Sequence, residues 1–343
     1  MDNYERMLAT LERKKTDYTP SMEIIIDKSV IRALTGTEDY MELCDLLDLD
    51  AVITNTSSSL YRSKMLDPDK GTFVNEWGTV RRHGKEVVSA IIDYPIKTVE
   101  DVFKYQAPDP NDEYRYAYLK ELLRRYKGKR FVGMHVHDCF NYPFYLMGMQ
   151  ELFICIYEEP DAVRHLVDIS VEHNIVLARN AIALGADFIV ISDDYGGGDQ
   201  LLVSPDSFRE FFLPGLQRIV SEIKNAGAYC FKHCCGNINS ILGDLVATGI
   251  DVLHPLDPSA GMDIRGVKDA CPELVVMGGI DCYEPLSRYS LSEMIVETKN
   301  VLADVGENGR FILATSNSVH SETKPENYLA MHYVRKNTPI QYR

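Results

Sequence analysis

The chain repeats one pattern. A short apolar run is followed by a polar break and then by a longer stretch with apolar residues three and four apart. The clearest copy starts at Pro160: Val163, Leu166 and Val167, then Ile175, Ala178 and Ile182, recur at helical spacing until Gly185-Ala186-Asp187 stops the helix. Phe188-Ile189-Val190-Ile191 follows, short and evenly apolar, as a buried parallel strand requires. Polar Ser192-Asp193-Asp194-Tyr195-Gly196 ends it. Further copies predict strands at Tyr229–His233, Val252–His254 and Leu274–Met277. The same reading gives Met22–Ile26, Ala51–Thr54, Phe131–Val136 and Phe311–Ala314. Strands alternating with helices in this number predict an α/β fold, a (β/α)8 TIM barrel with an N-terminal extension, as one domain over residues 1–343. No Gly-x-Gly-x-x-Gly turn follows any strand, which counts against the rival doubly wound sheet.

One stretch breaks the rhythm. Within an insertion over residues 57–112, the run from Thr72 to Gly84 reads as a hairpin rather than a βα unit. It follows the second strand, so it is expected near the C-terminal mouth of the barrel, as a lid or wall.

Composition narrows the class. Hydrophobic residues make up 45% and charged residues 25%, ordinary for a globular protein, and no apolar run approaches the ~18 residues of a membrane helix. The formal net charge of −15 is spread along the chain, which disfavours nucleic acid and anionic membrane as partners. The opening residues lack a basic-then-apolar leader, so a cytoplasmic enzyme is expected. Its eight cysteines then read as reduced thiols, and any cysteine cluster raises a question of metal or reactivity.

Barrel enzymes draw their chemistry from strand C-terminal ends and the loops beyond. The sharpest cluster there is Lys232-His233-Cys234-Cys235-Gly236-Asn237. His233 and Cys235 are two apart and share a face on an extended strand end, which makes half of a zinc site. Small buried packing residues are the blander reading of such cysteines. Asp193-Asp194-Tyr195 offers an acid or base beside a phenol, with helix capping the alternative for one carboxylate. His135-Val136-His137 has ligand spacing too, but a metal is not expected there. Ser207 to Phe212 reads as core.

In order and spacing, these segments resemble the uroporphyrinogen decarboxylase superfamily in its corrinoid-linked methyltransferase branch. The resemblance runs from Glu5-Arg6-Met7-Leu8-Ala9 and Asp17-Tyr18-Thr19-Pro20 through Asp193-Asp194-Tyr195-Gly196 and Leu202-Val203-Ser204-Pro205. It continues in His233-Cys234-Cys235-Gly236-Asn237, Gly249-Ile250-Asp251 and His254-Pro255-Leu256, and ends with Gly278-Gly279-Ile280-Asp281 and Lys324-Pro325-Glu326-Asn327. It implies the barrel independently of the strand count. The decarboxylases meet a many-carboxylate tetrapyrrole with an arginine-rich segment after the first strand. Here Ser21 to Val30 holds only Lys28, and Arg32 stands alone.

The resemblance implies two kinds of methyltransferase. One moves methyl from a small donor to Co(I) of a separate corrinoid protein; the other moves it from the corrinoid to a thiol or folate, using zinc bound by His-x-Cys and a late cysteine. His233 and Cys235 match the pair, but the late position falls on Asn317, a poor zinc ligand. A third ligand would then be His320, His254, Cys282 or Glu23, or the metal is absent. This departure favours the first kind, with an aryl methyl ether the simplest donor. The expected roles are catalytic for Asp193, Asp194, Tyr195 and His254, substrate-binding for Glu23, His137, Asn317 and His320, and metal-binding for His233 and Cys235. Cobalamin is expected on a partner corrinoid protein, zinc is a candidate metal, and a homodimer is left open. The alternatives are the thiol or folate enzyme, a decarboxylase-like lyase, and a non-catalytic barrel.

Overall fold

The computed structural model describes residues 1–55, 62–84 and 88–342. Seven parallel strands form one curled sheet in strict chain order: β1 (Ala51–Asn55), β2 (Phe131–Val136), β3 (Phe188–Ser192), β4 (Tyr229–His233), β5 (Val252–His254), β6 (Val275–Ile280) and β7 (Phe311–Thr315). Sequential order without reversal leaves no topological switch point, which excludes the doubly wound sheet. The chain folds as a TIM barrel. Its eighth place differs from expectation, because Met22–Ile26 forms no continuous ladder. Ser21 and Ile26 make isolated parallel bridges to Leu313 and Val319, the Asp50 N–H donates to the Ser21 carbonyl, and the Leu313 N–H donates to the Pro20 carbonyl. The segment thus closes the gap between β7 and β1 with scattered bonds.

Strand alternation fills the barrel in layers. Inward positions near the base, among them Ile53, Phe131, Phe188, Val190, Phe231, Val252, Met277 and Ile312, form one apolar cluster, and Met7 and Leu11 of helix α1 (Asn3–Leu11) join it from below. The next inward positions upward are polar. Ser192, His233 and His254 are cross-strand neighbours in register, so the pleat that packs Phe188 and Phe231 below also places these three in one layer at the top.

The base is locked by charge. Asp50 is fully buried and accepts from Arg6 at 2.6 Å, from Arg335 at 2.7 Å and from the Ser21 backbone at 2.8 Å. Arg6 lies on α1, and Arg335 on the helix α2 spanning Pro325–Lys336. One carboxylate therefore ties both helices to the foot of β1.

Between β1 and β2 the insertion is more than a hairpin. Lys64–Asp67, Thr72–Val74, Val80–Arg82 and Ala90–Asp93 pair as a four-stranded antiparallel sheet. Trp77 stacks on Tyr142 with ring centroids 3.8 Å apart, and the Thr79 hydroxyl donates to the Tyr145 carbonyl at 3.1 Å. This sheet rests on the loop and short helix after β2, which is also where His137 sits. No helix among the described residues is long and apolar enough to cross a membrane.

Candidate active site

Two glycines bring the functional loops together. Gly236 has φ +78°, and a Cβ on it would lie 2.4 Å from the Gly196 backbone; a Cβ on Gly196 would lie 2.6 Å from the Cys235 carbonyl oxygen. Only bare backbone allows the loops after β3 and β4 to touch in this way. Their contact sets Asp194 beside the end of β4. The Cys235 N–H donates to Asp194 Oδ1 at 2.8 Å, and His233 Nε2 lies 3.5 Å from the same oxygen. Cys235 Sγ is 3.2 Å from His233 Nε2. Among the described residues, Asp194, His233 and Cys235 are the one trio of His, Cys, Asp or Glu side chains that could hold a metal ion, their ligand atoms all within 4.8 Å.

The donor set fits zinc. It offers one thiolate sulfur, one imidazole nitrogen and one carboxylate oxygen, converging from neighbouring loops. Burial opposes ionisation of Asp194, but His233 and the Cys235 N–H outweigh it and hold the carboxyl below the usual range. Cys235 is the reverse: burial and the nearby Asp194 charge push its thiol up, so it keeps its proton until a cation arrives.

The expected alternatives for a third ligand are engaged elsewhere. His254 is buried, with Nδ1 2.7 Å from His233 Nδ1 and Nε2 2.9 Å from the Thr315 carbonyl oxygen. Burial and neighbouring His233 drive its pKa well down, so it is neutral. His320 donates from Nε2 to the Cys282 carbonyl in the loop after β6 at 2.9 Å and accepts from the Glu322 N–H of its own loop through Nδ1, so both ring nitrogens are engaged away from the trio. Glu23 is buried and faces Thr315, accepting from its N–H at 3.1 Å with the Thr315 hydroxyl 2.8 Å away. Burial raises its carboxyl to about 8. Glu23 therefore pins the closing segment to the C-terminal end of β7. Cys282 is buried and outside the trio. Asn317 does reach it, donating from its amide to Cys235 Sγ at 3.3 Å.

On the other side of Asp194 lies a dyad. Asp193 is fully buried; its Oδ2 accepts from the Phe140 and Asn141 N–H groups at 2.7 and 2.9 Å, and its Oδ1 lies 2.9 Å from His137 Nδ1. The Ser192 carbonyl is 3.0 Å from the same nitrogen. These two nearer neighbours accept and outweigh the Asn141 amide nitrogen 3.3 Å away, so Nδ1 carries a proton and Nε2 is left as the reactive edge. Burial lowers the pKa of His137, but Asp193 more than offsets it and raises the ring above its ordinary value. Burial and the adjacent Asp138 charge raise Asp193 to about 7, against the pull of His137. The rings of Tyr142 and Tyr145 stand edge-on to His137, with centroids 4.9 and 5.6 Å away.

Tyr195 departs from its expected place. It is fully buried among Phe140, Phe208 and Phe212, and its hydroxyl donates to Asp138 at 2.7 Å. Lys232, also fully buried, ion-pairs with Asp138 and donates to the Asp193 carbonyl at 2.8 Å. Burial works against the Lys232 charge, yet Asp138 keeps it protonated. Lys232, Asp138 and Tyr195 form a polar floor behind the dyad. Sequence reasoning assigned no role to Lys232, Asp138, Tyr142 or Tyr145. A lysine inside an apolar strand was the signal available, since a buried charge needs a partner.

The parallel barrel thus carries an Asp/His/Cys trio and an Asp193–His137 dyad at its strand C-terminal ends, where barrel enzymes place their chemistry. The uroporphyrinogen decarboxylase (URO-D) family model matches residues 79–338, and the chain belongs to that family. A uroporphyrinogen decarboxylase of Myxococcus xanthus is 26% identical over 89% of this chain and 88% of its own length. MtaA of Methanosarcina barkeri, a methylcobamide:CoM methyltransferase, is 28% identical over 51% of this chain and 48% of its own length. A solved methyltransferase from Methanosarcina mazei superimposes with a TM-score of 0.78, covering 98% of this chain and 99% of its own, at 19% identity, and shows the same fold.

Proposed function

We propose that this protein transfers a methyl group from a small methylated ether, an aryl methyl ether the simplest case, to Co(I) of a corrinoid carried by a partner protein. The observation that carries the reading is the His137–Asp193 dyad beside the Asp194/His233/Cys235 trio. An ether gives up its methyl only if the oxygen left behind is stabilised or protonated. The corrinoid, as co-substrate, supplies the nucleophile. The C–O bond breaks, both of its electrons stay on oxygen, and that oxygen takes the proton from His137 Nε2. Asp193 holds the ring by Nδ1 and steadies its charge, while Tyr142 and Tyr145 give the dyad an aromatic wall. A zinc ion on Asp194, His233 and Cys235 would supply Lewis acidity toward the donor oxygen.

A carboxylate-rich tetrapyrrole suits this site less well. Lys28 and Arg32, the cations after the first strand segment, both pair with Glu38 on the surface rather than forming a clamp. A thiol-acceptor reading draws support from the trio, yet the amide of Asn317 beside Cys235 leaves it one thiolate short. Incubation with cob(I)alamin and a panel of methyl ethers tests the choice. Methylation of the corrinoid supports it; loss of CO2 from a substrate without corrinoid would replace it with the lyase.

A further inference from the structure

The two top-layer histidines form a directional chain. The Thr315 carbonyl oxygen can only accept, so His254 must carry its proton on Nε2, which lies 2.9 Å away. His254 is 2% exposed and pairs with no carboxylate among the described residues, so a second proton on it would be a buried, uncompensated charge. Its Nδ1 is therefore a bare acceptor. His233 Nδ1, 2.7 Å from it, must be the donor. The protonated nitrogen of His233 thus points at its cross-strand neighbour His254, and its Nε2 is left to face Cys235 Sγ and Asp194 Oδ1. Register holds the chain in place: His233 and His254 are paired across β4 and β5, and Thr315 closes β7.

We propose that His254 is a positioning residue that fixes His233 in its metal-binding tautomer, relaying a preference that originates at the Thr315 backbone carbonyl. The inference rests on the metal reading of the trio given above. A metal-bound histidine gains affinity when its other ring N–H has a fixed acceptor, and losing such a partner costs about 10–100-fold. Here the acceptor is a second neutral histidine rather than a carboxylate. It orients the ring without adding negative charge to the site.

Two measurements test it. Long-range 1H–15N imidazole spectra of the metal-free protein should show His254 protonated at Nε2 and His233 at Nδ1; the opposite tautomers overturn the proposal. Zinc affinity, read by competition with a chromophoric chelator, should fall about 10–100-fold in His254→Leu. It should stay near wild type in His254→Asn, whose side-chain oxygen can still accept from His233 Nδ1. The d–d bands of the Co(II)-loaded His254→Leu protein should shift, and those of His254→Asn should not. Wild-type affinity in His254→Leu overturns the inference while leaving the metal site standing. A wild-type protein that takes no zinc removes the metal reading and the inference with it.

Discussion

Asn317 donates its side-chain amide to the Cys235 sulfur across 3.3 Å, joining the loop after the last strand to the candidate metal trio. The position is within reach of a shared ion, and only its chemistry keeps it from being a ligand. Asn317→Cys should therefore add a second thiolate and tighten zinc binding, measured by chelator competition. Unchanged affinity would mean that the loop is not poised over the trio.

Much of this site was legible in the sequence, and what was missed has physical causes. Short apolar runs closed by polar residues put His233 and His254 at strand C-terminal ends, and the pleat gave His233 and Cys235 one face. The third member of the trio was not legible. Asp194 reaches the trio only through the Gly196–Gly236 backbone contact, which joins residues some forty apart in the chain and has no local signature. Tyr195 was misplaced for a related reason, since adjacency to two carboxylates does not say which way a loop turns. The eighth strand failed as a strand because residues 20–26 are held by isolated bridges and by Glu23, side-chain work that a β-pattern does not encode.

The Gly196–Gly236 contact makes its own prediction. Gly236→Ala places a methyl group 2.4 Å from the Gly196 backbone at a positive φ, so the two loops must part. Zinc affinity should fall with little change in secondary structure by circular dichroism. Full retention of metal would separate the trio from this contact.

Glu23 gives the fold a pH dependence of defined sign. Its carboxyl is raised from the ordinary 4.5 to about 8 by burial, so the folded chain holds a proton that the unfolded chain releases. Stability from this group is full below about pH 4.5 and declines as pH rises toward 8, by roughly 3–5 kcal/mol at most. Glu23→Gln stays neutral throughout. Its advantage over wild type in urea unfolding should therefore grow from pH 5 to pH 9, and a pH-independent difference would contradict the assignment.

The polar floor should behave as a buried ion pair. Lys232→Met leaves Asp138 charged and without its partner, at a cost of about 3–5 kcal/mol in unfolding free energy. Lys232→Met combined with Asp138→Leu should recover part of that loss, because the stranded carboxylate is gone. Equal stability of the single variant and wild type would mean that the pair is not buried as described.

The central claim is tested most directly by the methyl-transfer rate of His137→Gln and wild type with cob(I)alamin and a methyl ether, followed by the corrinoid spectrum. The glutamine keeps the volume near Tyr142 and Tyr145 but has no proton to give. Methylation should depend on both corrinoid and ether, and the variant should be slower by about 10²–10⁴-fold with its zinc content unchanged. Wild-type turnover of the ether at full rate without corrinoid, or a variant as fast as wild type, would contradict it.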